Sequence, residues 1–338
     1  MCEAGPLNPE SDAGSRAVVD LIAGLGDLGH EVHPVIESLG DPARHAAMVV
    51  PDLAVISRPG LFARLEPRLR PLGMPIVYWA HDLHFVRLGL QAEFDAGLGP
   101  RASHVMRMVE EQCFTRADLA VLPTMAEAER ARNEFPAARV VATPYFAIPD
   151  QPLPAGAPAD ERIVFVGGEH HAPNRDGVEW FLDSVWPTVR DRNPNAELVV
   201  AGRWHRPQPW PPGVSYPGVI AEEELDALLR SARVGIAPLR FGAGMKRKTL
   251  HYLSHGLPVV GTGFAVEGLD SQPSGGVAGV LHAETPGDWE KAIASLANPD
   301  LWMGLSREGH RYVHGAFSVQ RFRAGLAGVV SRASRKPG

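Results

Sequence analysis

Between Ala237 and Gly268 the chain reads APLRFGAGMKRKTLHYLSHGLPVVGTGFAVEG, and the first half of this stretch collects residues suited to holding an anion. An apolar run ends in Arg240 and then Gly242-Ala243-Gly244-Met245. A helix is predicted at about Lys246–His255, opening with Lys246 and Lys248. Glycines let main chain approach a ligand closely. A helix start offers free N–H groups and the positive end of a dipole, and the lysines add full charges. The chemistry this predicts is binding of a diphosphate, although a tight turn before a helix with solvated lysines has the same composition. Two other phosphate patterns fail at one residue, since GxxxxGK[ST] and GxGxxG both need glycine where Arg247 stands. His251 and His255 have the spacing of a metal pair on one helix face. With no third ligand or intervening glutamate beside them, they are read as helix histidines and no metal site is expected.

Other reactive residues fall where predicted strands end, the places at which parallel sheets present ligands. His81 and Asp82 follow a strand at Ile76–Ala80. Gly167 and Gly168 end a strand at Arg162–Val166, where they would let main chain pass close to phosphates. Arg203 follows a strand at Glu197–Ala201. Glu267 ends another strand region and reads equally as a ligand of sugar or ribose and as a solvated carboxylate. Gly14 and Ser15 open a helix at Ser15–Leu28, with Asp12 a candidate cap. Trp204 and Trp210 could stack on a sugar or base, or pack on each other in their Pro-rich loop.

The elements that must position these groups alternate strand and helix. Further strands are predicted at Glu31–Ile36, Leu53–Ser57, Leu119–Pro123, Val234–Leu239 and Pro258–Thr262. Further helices are predicted at Met106–Ala117, Asp176–Arg190 and Glu222–Ser231. Such alternation gives parallel sheets covered on both faces. The 338 residues suit two domains of about 150 each, divided by the Pro/Gly-rich QPLPAGAPAD at 151–160. Composition is globular, with 45% apolar and 21% charged residues, and a net charge of −6 argues against a nucleic-acid partner. No apolar run approaches the roughly 18 residues of a membrane helix, and the N-terminus has no signal-peptide pattern. Two cysteines, Cys2 and Cys113, make no disulfide framework, so a cytoplasmic setting is expected.

The segment PLRFGAGMKRKTLHYLSHGLPVVGT followed by VEGL resembles the donor-site block of family 4 glycosyltransferases. FVGGEHHAPNRDGVEWFLDSVWPTVRDRNP and then LVVAGR resemble the opening of the same domain. In the first half, NPESDAGSR is similar to that family's glycine loop, VYWAHDLHFVRL to its His-Asp segment, and ADLAVLPTMAEAER to the strand and helix before its linker. The likeness covers nearly the whole chain in order. It implies the α/β GT-B fold, two facing Rossmann-like domains with a deep interdomain cleft. Residues 1–150 would be the acceptor-side domain, 161–315 the donor domain, and 316–338 a helix packing back toward the N-terminal domain, then a tail. It further implies a nucleotide diphosphate sugar as donor, a hydroxyl acceptor, retention of configuration and no cofactor or required metal. His81 would lie near the transferred sugar with Asp82 beside it. Gly14 and Ser15 would face sugar and phosphate. Gly167, Gly168, Arg203, Arg240, Gly242, Gly244, Met245, His251 and Glu267 would hold the donor, the nucleotide base bordering 218–224. Lys246 and Lys248 would stabilise the leaving diphosphate.

Two departures stand out. The family's Glu-x7-Glu would fall on Ala243 and His251, so both carboxylates are missing; a neutral His251 still accepts one hydrogen bond. The chain also offers only a stub of first strand, Met1–Ala4, where a doubly wound domain has a central strand; either the true start lies upstream or the domain is shortened. No side chain suggests a covalent nucleophile. The rivals to a transferase are a degenerate, non-catalytic GT-B binding protein and a nucleotide-sugar epimerase or phosphorylase. Nothing in the residues selects the nucleotide, sugar, acceptor or oligomeric state, and a lipid-linked acceptor would bring peripheral membrane contact.

Overall fold

A computed structural model describes residues 1–7, 13–94, 99–205, 209–242, 244–269 and 276–335. Asp12 and Ala243 lie outside the described residues. The chain divides into two units. The first comprises Met1–Ala147, Ala243–Met245 and Val319–Gly338, the second Ile148–Gly242 and Lys246–Ser318.

The first unit contains β1 (Cys2–Glu3), α1 (Ala13–Asp27), β2 (Val35–Ile36), α2 (Pro42–Val49), β3 (Ala54–Ser57), α3 (Pro59–Leu69), β4 (Ile76–Trp79), α4 (His84–Phe94), α5 (Pro100–Arg116), β5 (Leu119–Leu122), α6 (Met125–Glu134) and β6 (Val140–Ala142). Its strands form one parallel sheet in the order β2-β1-β3-β4-β5-β6. The stub of first strand therefore does occupy an interior position. β4 is buried along its whole length, as a strand covered on both faces must be. Its alternation sends Tyr78 to one face, edge-on to Phe62 and Phe114, and Trp79 to the other, stacked on Tyr145 at 4.2 Å.

The second unit runs β7 (Arg162–Val166), α7 (Ala172–Trp180), a π turn (Phe181–Val185), α8 (Trp186–Arg192), β8 (Glu197–Ala201), β9 (Val214–Gly218), α9 (Glu222–Ser231), β10 (Val234–Ala237), α10 (Arg247–Ser254), β11 (Val259–Gly261), β12 (Val280–His282), α11 (Pro286–Ser295) and α12 (Pro299–Ala316). Its parallel sheet is ordered β12-β11-β10-β7-β8-β9. The chain builds outward from β7 through β8 to β9, then restarts at β10 on the other side. The order thus reverses between β7 and β10, the place where such sheets leave a crevice at their carboxyl ends. Residues 151–160 belong to this unit rather than forming a separate linker. The Arg233 guanidinium donates to the carbonyls of Pro158 and Ala159, and His310 Nε2 lies 2.7 Å from the Gln151 carbonyl. A last helix, α13 (Val319–Ala333), returns to the first unit. Gly24 of α1 lets it seat closely, because a Cβ there would meet Phe322 at 2.6 Å.

Candidate functional site

The β7 and β10 loops meet at the switch point of the second sheet. Gly167, at φ 152°, and Gly168 leave β7. A Cβ on Gly167 would lie 2.7 Å from Asn174 Nδ2 and 3.3 Å from Lys248 Nζ, so only glycine lets these two side chains close over the strand end. Asn174, in the first turn of α7, donates from Nδ2 to the Gly168 carbonyl at 3.0 Å and accepts from Lys248 Nζ at 2.6 Å. Lys248 Nζ also sits 4.0 Å above the Phe165 ring centroid, a cation–π contact. Burial, with the charge of Lys246 added, pulls the Lys248 pKa well below the ordinary lysine value.

Lys246 caps the start of α10 and is itself buried. Its side chain folds back over Gly242, whose φ is 142°, and Nζ reaches Glu267 Oε2 at 3.2 Å. Glu267 follows the turn Gly263–Val266, which Thr249 of α10 fixes by donating to the Ala265 carbonyl at 2.8 Å. Behind α10, Tyr252 lies flat on Gly235, where a Cβ would come within 2.4 Å of the ring, and its hydroxyl accepts the Val166 N–H at 2.7 Å. The helix that carries both lysines is thus keyed to β10 and β7 together. Two ammonium groups thus gather at one helix start, with the Glu267 carboxylate beside Lys246, an arrangement suited to an anionic ligand.

The remaining sequence candidates separate. Arg240 is turned away from the loops, its guanidinium bidentate on Asp176 of α7 and above the Trp180 ring, so its charge is locally neutralised. Arg203 is exposed beside the Gly168 loop, and its carbonyl accepts the Glu169 N–H at 3.0 Å. Trp204 is buried and donates to the Gly167 carbonyl at 2.7 Å, while Trp210 lies against Tyr216 at 5.3 Å, so these aromatics pack within their own loop. His251 points at Asp226 of α9, with 3.9 Å between Nε2 and Oδ1. Gly244, at φ 76°, and Met245 group with the first unit, where a Cβ on Gly244 would lie 3.0 Å from that of Asp82. The groove at the opposite end of the second sheet includes Arg162, Glu197, Arg192 and Glu290, which form two ion pairs within its wall.

In the first unit, Ser15 is buried in the opening turn of α1, next to Gly14. His81 leaves β4 edge-on to Tyr145 at 6.1 Å, and the Tyr145 hydroxyl is anchored on the carbonyls of Ala80 and Val121. Asp82 is engaged on both sides, by His84 Nδ1 at 2.9 Å and Arg87 Nε at 2.8 Å. Burial would raise its pKa, but these two cations hold the carboxyl far below the usual range. His84, which sequence reasoning did not single out, holds this turn. Its Nδ1 also lies 3.2 Å from Glu110 Oε1, and the same carboxylate accepts the His84 and Phe85 N–H groups. Burial lowers the His84 pKa, yet the two carboxylates outweigh it and hold it up at about 9. Stability from this pair is fully present below the ordinary histidine pKa of 6.5 and is lost as pH rises through about 9. The His84→Gln variant should therefore lose on the order of 2 kcal/mol near pH 6, and the deficit should vanish by pH 10. Thermal unfolding of both proteins across that range checks this; a deficit independent of pH would rule out a charged His84.

Residues 160–298 match the family profile described as "Glycosyl transferases group 1". These residues are a group 1 glycosyltransferase domain. The lysines at the start of α10, the Gly167–Gly168 loop and Asn174 all lie within the domain so identified. A protein of Klebsiella pneumoniae described as "Uncharacterized 44.6 kDa protein in cps region" is 30% identical over 122 residues, which take in 31% of this chain and only 30% of that protein. Among solved structures, Anabaena Alr3699/HepE in complex with UDP and glucose matches 98% of both chains with a TM-score of 0.71 and 12% identity. Sucrose-phosphate synthase from Thermosynechococcus elongatus matches 86% of this chain and 75% of its own with a TM-score of 0.66 and 18% identity. The fold around the group 1 domain is accordingly that of GT-B glycosyltransferases, two Rossmann-like units with parallel six-stranded sheets. Among the described residues, no helix is long and apolar enough to cross a membrane.

Proposed function

We propose that the chain is a glycosyltransferase that moves a sugar, with retention of configuration, from a nucleotide diphosphate sugar to an acceptor hydroxyl. The observation that carries this reading is the pair Lys246 and Lys248 at the start of α10, the first folded over Gly242 toward Glu267 and the second closing over Gly167. The diphosphate of the donor would displace Glu267 from Lys246 and take both ammonium groups as partners. As the sugar–phosphate bond breaks, negative charge grows on the leaving diphosphate, and donors already in place stabilise it without reorganising. The acceptor hydroxyl attacks from the face the diphosphate leaves, and a phosphate oxygen takes its proton. His81, held over the first sheet by the Tyr145 contact, would orient sugar and acceptor, with Asp82 and His84 fixing the turn that carries it. Transfer by this route needs neither a metal nor a covalent intermediate. The second unit is the donor side on this reading and the first unit the acceptor side. The acceptor is a glycan, a lipid-linked glycan or a small hydroxyl compound, and the protein works in the cytoplasm.

UDP is the first nucleotide to test, because the structure of Anabaena HepE is a complex with UDP and glucose. Calorimetry against UDP, GDP, dTDP and ADP with chelator present should show selective binding of one of them, followed by slow hydrolysis of the matching nucleotide sugar. An anion raises the depressed Lys248 pKa, so binding should take up protons, and affinity should weaken as pH rises. Titrations in two buffers of different ionisation enthalpy measure that uptake. A folded protein that binds no nucleotide would replace this reading with a non-catalytic GT-B binding protein, which the turn of His251 onto Asp226 favours.

A further inference from the structure

We infer that Asp226, His251 and His255 form a divalent metal site of the zinc type, clamping α9 to α10. The ligand atoms Asp226 Oδ1, His251 Nε2 and His255 Nε2 all lie within 4.8 Å of one another. Two of the separations are 3.0 Å, from His255 to Asp226, and 3.9 Å, from His251 to Asp226. Bonds of 2.0–2.2 Å to a tetrahedral ion place ligand atoms roughly 3.3 Å apart, so shifts of less than about an ångström per atom complete the site.

Hydrogen bonding around His255 points to a cation. Its Nδ1 faces the His251 carbonyl at 3.0 Å, a hydrogen bond in the tautomer that carries its proton on Nδ1. The Ser254 hydroxyl lies 2.8 Å from the same carbonyl and 3.2 Å from Nδ1, and by donating to the nearer carbonyl it leaves the Nδ1 proton to the ring. With Nδ1 protonated, the neutral ring presents a lone pair at Nε2, and that lone pair faces the Asp226 carboxylate at 3.0 Å. Two acceptors meet there, so the pair needs either a second proton on the ring or a metal ion between them. An imidazole that donates its far N–H to a backbone carbonyl is the usual outer arrangement of a metal-bound histidine. His255 is 1% exposed and thus held rigidly, whereas His251 at 15% and Asp226 at 23% keep an opening to water for a fourth ligand. The other Asp226 oxygen lies 4.0 Å from Arg230, which leaves Oδ1 for the ion.

Two imidazoles and one carboxylate suit zinc better than the all-oxygen shells of magnesium or calcium. The ion would fix α10 against α9 and so steady the helix that opens with Lys246 and Lys248. The site is separate from the sugar-transfer reading, since its readout is metal binding and not turnover.

The test uses the full chain freed of metal by chelation. Calorimetry with zinc should show one ion per chain, and cobalt should give the visible absorption of a four-coordinate ion. Asp226→Asn and His251→Gln, both at partly exposed positions, should each weaken zinc binding at least about 100-fold and remove the cobalt spectrum. His205→Gln, at an exposed histidine outside the cluster, should change neither. Absence of zinc binding by folded protein, or binding retained in both variants, would overturn the proposal. So would a nitrogen-15 spectrum, recorded with zinc present, that shows the His255 ring doubly protonated.

Discussion

Replacing Lys246 and Lys248 together with alanine should lower kcat/KM for the nucleotide sugar by about 10²–10³-fold and leave the fold intact. The loss should appear mainly in kcat, because charge on the leaving diphosphate is greatest in the transition state. Stability should change little for a physical reason. Burial penalises the charged form of Lys248, so removing it relieves a desolvation penalty while giving up the bonds to Asn174 and the Phe165 ring. Lys248→Met, which keeps the volume of the stem, separates charge from packing and should show most of the same loss in turnover. A double variant that unfolds, or one that turns over normally, would remove the lysines from the anion site.

Gly177→Ala should destabilise the protein by about 3 kcal/mol or more, with a fall in Tm on the order of 10 °C. A Cβ at Gly177 would lie 2.2 Å from the Pro238 carbonyl oxygen and 2.9 Å from its carbon. Both are main-chain atoms, so no side chain can swing aside and α7 must withdraw from the end of β10. The same movement carries Asn174 away from Gly168 and Lys248, so nucleotide affinity should fall with stability. Gly304→Ala in α12 is the control. Nothing lies within 4 Å of a Cβ there, and the helix should gain about 0.5–1 kcal/mol. Differential scanning calorimetry of the two variants checks both values; equal stability would mean that the α7–β10 contact is not tight.

The second unit was the more legible half in sequence, and its particular residues show why. Arg162–Val166, Glu197–Ala201 and Glu222–Ser231 emerged with the ends predicted, because each apolar run is closed by Gly, Pro or polar residues. α7 begins earlier than the predicted Asp176, at Ala172, where Pro173 suits the first turn, and a π turn divides it from α8. β9 was not foreseen, since VSYPG contains Pro217 and is only partly buried, as an edge strand is. β2 shrinks to Val35–Ile36 from the predicted Glu31–Ile36. At the site, the glycines and lysines were visible as a local pattern. Asn174, His84 and Asp226 were not. Each acquires its meaning from a partner on another element, such as Lys248 on α10 for Asn174, or His251 of α10 and His255 just after it for Asp226. The charge of Arg240 was visible too, but Asp176, which takes it up, lies far upstream in the chain.

The return of α13 to the first unit sets an order of events during synthesis. Gly24 of α1 waits for Phe322 and Leu326, which are made only after the whole of the second unit. At roughly 5–20 residues per second that wait lasts on the order of 15–60 s. The second unit, apart from its three-residue excursion at 243–245, is complete once residue 318 has emerged and can consolidate first. The N-terminal half, although made earlier, is therefore the later to mature, and the need for chaperones falls on the nascent first unit. A stop codon before α13 would release a chain whose second unit is whole and whose first unit stays open to aggregation.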